Sequence, residues 1–293
     1  MKTQNGFTLM NKNEIGTYLA KQKVTRKITR LQVHHMDSPN YSTWEKTDKK
    51  VFSESHFGRT QSLNDYGRRT WGSGASDGHG HYIAQHFNVF ADGMITTGRH
   101  LNSTPIGIKG WNTNAICIEI YGDFDKGKDV MTKAQKEAVI ALYGELCKKF
   151  KIPVDTAHIR PHCWFTAGGT YLGKYDPNRS AKTCPGTNFM GYGCSPSGFA
   201  KFINEVKEYV NGKEASKEET KPTSFKKYIA KPTVDGLTCR KGPGIEYDKV
   251  TLIDTDIAVT IIGEYEAKDG GTWLKCKTGY YVNKKYMKFV RYV

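Results

Sequence analysis

Between Val210 and Phe225 the chain reads Asn211 followed by GKEASKEETKPTS, a stretch without a large apolar side chain, rich in charge and hydroxyl groups and holding one proline. A segment of that composition has nothing to bury and behaves as a linker. A chain of 293 residues divided there folds around two cores, each long enough to bury its own apolar surface. The expected division is a first domain over 1–210, a linker over 211–224 and a second domain over 225–293.

The two sides carry different periodicities. Upstream, helical and strand patterns alternate. A short helix is expected near 11–22, a buried strand over 28–36 and a helix over 53–69. A hairpin follows, with 82–90 and 94–97 flanking an Ala-Asp-Gly turn. The run AICIEIY at 115–121 reads as a central strand, and Thr132 with Gln135 as a capping box ahead of an amphipathic helix through Val139, Leu142, Tyr143 and Leu146. Another short strand is expected to end near Ala157. Ser195 and Pro196 then supply an N-cap and a first-turn proline for a closing helix with Phe199, Phe202, Ile203, Val206 and Val210 at helical spacing. This order gives an α/β fold, with a mixed central sheet and flanking helices. Downstream of the linker, runs at 236–240, 250–253, 259–265, 272–277 and 279–282 are short and separated by turns, the pattern of a small all-β barrel.

The net charge of +15, from 44 Lys and Arg against 29 Asp and Glu, points to an acidic partner. It is spread along the chain: residues 225–293 carry +5, and no polybasic tail marks a nucleic-acid arm. No nucleic-acid partner is therefore expected. No segment is apolar enough to span a membrane, and residues 1–12 lack the apolar run of a secretory signal, so synthesis in the cytoplasm is expected. The odd count of seven cysteines forms no disulfide framework and suggests reduced thiols or a metal ligand. The oligomeric state is left open.

Three positions have the chemistry of zinc ligands: His34 in LQVHHM, His158 in DTAHIRPH and Cys184 in KTCPG. Imidazole and thiolate suit zinc, and three protein ligands leave the open position that catalysis needs. Their wide separation carries no metal signature of its own. On the strand AICIEIY, residues 117, 119 and 121 share one face and the isoleucines the other, so Glu119 is a carboxylate set in an apolar strand. It needs either a cationic partner or a function.

The blocks strand-His34, AQHFNVFADG followed by TGR, GWNTNAICIEIYGDF, AHIRPH and KTCPG occur in an order that resembles the type 2 N-acetylmuramoyl-L-alanine amidases, relatives of the peptidoglycan recognition proteins, over roughly residues 25–190. The resemblance implies zinc held by His34, His158 and Cys184, Glu119 as general base and Lys182 as a cation for the oxyanion. It further implies that peptidoglycan is cut between N-acetylmuramic acid and the L-alanine of the stem peptide. About 25 residues separate His158 from Cys184, more than family members often have, so 162–181 reads as an insertion. His162 and Cys163 then compete as ligands, while His35 points away from His34. Gln85 stands where several relatives carry tyrosine. The segment from GLTCRKGPGIEYDKV to GTWLKCKTGYYVNKKYM resembles bacterial SH3-type wall-binding modules, with Cys239 and Cys276 as core hydrophobes and Tyr247, Tyr280 or Tyr281 as candidate ligand contacts. Together the halves imply the arrangement of a phage endolysin or bacterial autolysin, acting on the wall after release. A non-catalytic recognition module is the second reading. A polymer binder with a four-ligand structural zinc is the third.

Overall fold

In the computed structural model, which describes residues 1–46, 55–212, 226–245, 247–267 and 271–293, an Asn5-Gly6 pair with both residues at positive φ turns the N-terminus back on itself. It joins β1 (Lys2–Gln4) to β2 (Phe7–Met10), a hairpin that no alternation in the sequence announces. The first unit continues through α1 (Ile15–Ala20), β3 (Arg30–His35), α2 (Tyr41–Lys46), α3 (Ser55–Trp71), β4 (Phe87–Val89), β5 (Ile95–Thr97), β6 (Ala115–Ile120), α4 (Lys133–Phe150), β7 (Ile159–Pro161) and α5 (Pro196–Val210). Its strands form one mixed sheet in the order β1-β2-β5-β4-β6-β3-β7. The pairs β4/β6, β6/β3 and β3/β7 are parallel and the rest antiparallel. The α/β fold with a mixed sheet is as the alternation of elements requires.

AICIEIY occupies the interior of this sheet, with β4 on one side and β3 on the other. Ile116, Ile118 and Ile120 join the core against Val139, Leu142 and Tyr143 of α4, which in turn packs against α1 and α5. Glu119 therefore belongs to the opposite face. Tyr143 donates to the backbone carbonyl of Gln32 at 2.8 Å, fixing α4 to β3. Helix α5 begins as its sequence demands, with Ser195 Oγ accepting from Gly198 N at 3.1 Å and Pro196 in the first turn. Its buried Phe199, Phe202, Ile203 and Val206 each contribute about 1.5–3 kcal/mol of transfer free energy.

Only half of the expected capping box forms. Thr132 Oγ1 caps the backbone N–H of Gln135, but the Gln135 side chain turns inward and donates to the carbonyls of Val89 and Tyr121 at 3.0 and 2.8 Å. The Val89 carbonyl also accepts the N–H of Tyr121 at 2.8 Å, so the buried amide of Gln135 ties the ends of the two neighbouring strands together.

The loop before β4 is tied down by one carboxylate. Asp77 accepts from the N–H groups of His79, His81 and His100 and from His81 Nδ1, all within 2.7–2.9 Å. Against the burial that would raise it, these donors hold the Asp77 carboxyl down at about 2. Because that value lies below the ordinary carboxylate range, the stabilisation is present above about pH 4 and is lost as pH falls through about 2. Asp77→Ala is expected to cost about 2–3 kcal/mol in denaturant unfolding at neutral pH. Its penalty should shrink when the same titration is run near pH 2.

The chain gathers into two compact units, Met1–Ala215 and Ser216–Val293. Most of the expected linker, from residue 213 onward, lies outside the described residues. The second unit is entirely antiparallel: β8 (Tyr228–Pro232), β9 (Leu237–Arg240), β10 (Lys249–Ile253), β11 (Val259–Glu266), β12 (Thr272–Cys276), β13 (Tyr281–Asn283) and β14 (Met287–Tyr292). The strand order is β10-β9-β13-β12-β11-β8-β14. Strands β8 and β14 pair with each other and extend the sheet beyond the runs expected from the sequence. Cys239 and Cys276 are buried in its core with Ala230, Leu237, Ile261, Leu274 and Val282, so they act as small hydrophobes there. Tyr281 is buried against Tyr265, whereas Tyr247 and Tyr280 are exposed. All seven cysteines are free, and among the described residues no helix is long and apolar enough to cross a membrane.

Candidate metal centre and groove

Sheet register builds the site. Thr96, Asn88, Glu119 and His34 stand opposite one another across β5, β4, β6 and β3, one polar row on the face that α4 does not cover. On the far side of β3, Val33 pairs with Pro161 of β7, so the next residue of each strand brings His162 alongside His34. Their imidazole rings lie 4.9 Å apart and nearly edge to face. Cys184 arrives on the loop that follows: its Sγ is 3.5 Å from His34 Nδ1 and accepts the backbone N–H of His35 at 3.3 Å. Ligand atoms of His34, His162 and Cys184 all lie within 4.8 Å of one another.

His158 does not join this group, contrary to the assignment by resemblance. The strand expected to end near Ala157 instead runs from Ile159 to Pro161, and the residue at its open end is His162. His158 sits at the opposite end, its carbonyl accepting from Leu31 N, three residues and roughly 10 Å of strand before His34. Its Nδ1 is 2.7 Å from Asp155 Oδ1, a partly exposed pair that orders the turn entering β7. Cys163 is buried and directed elsewhere; its N–H donates to the Cys184 carbonyl at 2.6 Å and so holds the two ligand loops together. His35 faces the other way, its Nδ1 accepting from Phe124 N at 3.1 Å.

The two family-like blocks GWNTNAICIEIYGDF and KTCPG meet physically. Asp125 accepts from Thr183 Oγ1 and from Thr187 N, each at 2.8 Å, so the loop after β6 grips the loop bearing Cys184. Gly186 has φ +112°, and a Cβ there would meet the Phe124 backbone at 2.4 Å, so only glycine lets these loops close. The segment expected as an insertion, 162–181, packs Trp164 and Phe165 into the core and bridges Phe165 to Tyr171.

Burial sets the electrostatics. It holds His34 well below the ordinary imidazole range, helped by the charges of His162, Lys182 and His35, and brings His162 down to about 4. Both rings are therefore neutral, with lone pairs available. Burial also pushes the Cys184 thiol up, aided by Glu119, so ionising it requires a nearby cation. The Glu119 carboxyl is pushed up to about 8 by burial, with Lys182 pulling the other way. Glu119 Oε1 lies 3.8 Å from His34 Nδ1, while Oε2 is buried without a hydrogen-bond partner. Two neutral imidazoles, one thiol and an orphaned carboxylate oxygen make a donor set that fits a divalent metal with a water beside it.

A second donor trio, His34, Cys117 and Glu119, also lies within 4.8 Å. The groove decides between the two. Its lining, around a cavity of about 670 Å³, includes His34, Glu119, His162, Lys182 and Cys184 but not Cys117, which is sealed in the sheet. The first trio is thus the one whose three members all face the groove. The groove wall also carries Leu63, Tyr66 and Trp71 from α3, which the sequence had shown only as a helix; Tyr66 and Trp71 are solvent-exposed and touch edge to face at 5.7 Å. Gln85 also lines the groove and donates to Asn88 Oδ1 at 2.5 Å.

Residues 24–187 match the profile of a protein family described as N-acetylmuramoyl-L-alanine amidase. Among solved structures, the chain is similar to N-acetylmuramoyl-L-alanine amidase LysC from Clostridium intestinale URNW, at 19% identity over 64% of this chain and 91% of that one, with a TM-score of 0.39. The endolysin amidase LysCS from the same organism is 21% identical over 64% of this chain and 85% of its own, with a TM-score of 0.37. Drosophila PGRP-LB is 18% identical over 56% of this chain and 78% of its own, with a TM-score of 0.37. No curated protein matches the chain.

Proposed function

Because the chain belongs to the N-acetylmuramoyl-L-alanine amidase family, we propose that it is a zinc-dependent peptidoglycan hydrolase, cutting the amide between the lactyl group of N-acetylmuramic acid and the L-alanine of the stem peptide. The observation that carries this is the meeting of His34, His162 and Cys184 on the groove floor beside a carboxylate with an unsatisfied oxygen. A recognition module has no use for a buried, unpaired carboxylate, which is costly to keep.

Zinc held by His34, His162 and Cys184 supplies Lewis-acid chemistry, acidifying a water and polarising the scissile carbonyl. The chain's own residues do the rest. Glu119 Oε2 is buried without a hydrogen-bond partner beside His34, so it is placed to accept the proton of the attacking water and return it to the leaving alanine nitrogen. Lys182 lines the same groove and supplies positive charge for the oxyanion that develops on the carbonyl. The N–H of His35 donates to the Cys184 sulfur and favours its thiolate form. Leu63, Tyr66 and Trp71 offer apolar and aromatic surface along the groove for contact with the substrate.

The proposal extends to residues 225–293 as a bacterial SH3-type wall-binding module, its exposed Tyr247 and Tyr280 available for contact with wall polymer, and to the cell wall as the place of action. Purified wall incubated with the full chain should lose turbidity. A chelator should abolish this loss, and added zinc should restore it. Full lysis after chelation, or wall binding with no lysis at any zinc level, would overturn the hydrolase.

A further inference from the structure

His34 offers two nitrogens, and which one is free to bind metal depends on what holds the other. Its Nε2 lies 3.2 Å from Oε1 of Gln32, a fully buried residue two positions earlier on β3 and so on the same face. The Gln32 amide cannot be reversed. Its Nε2 faces two acceptors, the Trp111 carbonyl and Asn112 Oδ1, each at 3.0 Å. Asn112 Oδ1 is itself fixed as an acceptor by the N–H of Gly107 at 3.0 Å. On the other side Gln32 Oε1 accepts from the N–H of Ile108 at 3.3 Å. Turning the amide over would set donor against donor and acceptor against acceptor at all of these contacts. Oε1 therefore faces His34, and a carbonyl oxygen requires a donor there.

We propose that Gln32 is a positioning residue for the metal centre: it holds His34 as the Nε2–H tautomer and so presents the Nδ1 lone pair toward Cys184 and His162. The geometry agrees at the other end of the ring, where Nδ1 lies 3.5 Å from Cys184 Sγ and 3.8 Å from Glu119 Oε1. The loop carrying Trp111 and Asn112 is thus linked to His34 through Gln32. Gly107 belongs to the same device, since a Cβ on it would stand 2.0 Å from Gln32 Oε1.

This rests on the metal centre proposed above, but its test separates the two. In the metal-free wild-type chain, with histidine side chains labelled with 15N, long-range proton–nitrogen correlation should show His34 protonated at Nε2, its signals identified by their loss in His34→Gln. Gln32→Leu and Gly107→Ala, each in the full chain, should bind zinc about 10- to 100-fold more weakly in competition with a chromophoric chelator. A wild-type chain that takes up no zinc overturns the metal centre. His34 protonated at Nδ1 in the metal-free wild type, or a folded Gln32→Leu that binds zinc as tightly as wild type, overturns the role of Gln32 while leaving the centre standing.

Discussion

Glu119→Gln is expected to slow release of stem peptides from purified wall by roughly 10²- to 10⁴-fold, the usual worth of a positioned proton-transfer group, while zinc content stays that of the wild-type chain. Glutamine matches the carboxylate in size but cannot take the proton of an attacking water. The substitution also separates the two donor trios that share His34. If Glu119 and Cys117 held the metal with His34, the variant would lose zinc along with activity. Retained zinc with lost turnover assigns Glu119 to proton transfer; retained turnover removes it from the chemistry. Folding should survive, because burial already pushes the carboxyl up to about 8 and the neutral amide avoids that desolvation.

The second large effect distinguishes two histidines four positions apart. His162→Ala should lower zinc affinity by well over the roughly 100-fold that loss of an outer partner costs, and abolish lysis with it. His158→Ala should leave metal content and turnover at wild-type levels. It breaks only the partly exposed pair with Asp155, worth about 1 kcal/mol or less. Metal analysis of the two purified variants checks this directly, and the reverse pattern would return His158 to the ligand set.

The confusion of these two histidines shows where sequence stops informing. Glu119 was legible because strict alternation in AICIEIY assigns faces without knowledge of any partner strand. Cys184 and Lys182 were legible through KTCPG, and α5 through its cap, proline and apolar spacing. Strand β7 was not, since Ile-Arg-Pro is three residues long, ends in proline and has no period; pairing with β3 alone defines it. Which histidine meets His34 follows from that pairing register, a tertiary fact. The same limit hid β1 and β2, which have only an Asn-Gly turn to mark them, and β8 and β14, which pair across most of the second unit's length in sequence. Gln32 has no signature in the sequence, and Gln135 reads there as a capping residue, because a buried amide is distinguished only by the backbone groups it satisfies.

The most direct test of the central claim is chemical identification of what the chain releases from purified peptidoglycan. Mass spectrometry together with end-group labelling should find new L-alanine amino termini matched by free lactyl carboxylates on N-acetylmuramic acid, with no increase in reducing sugars. New reducing ends without L-alanine termini would make the chain a glycosidase, and termini from amino acids further along the stem would make it a peptidase; either would contradict the assignment.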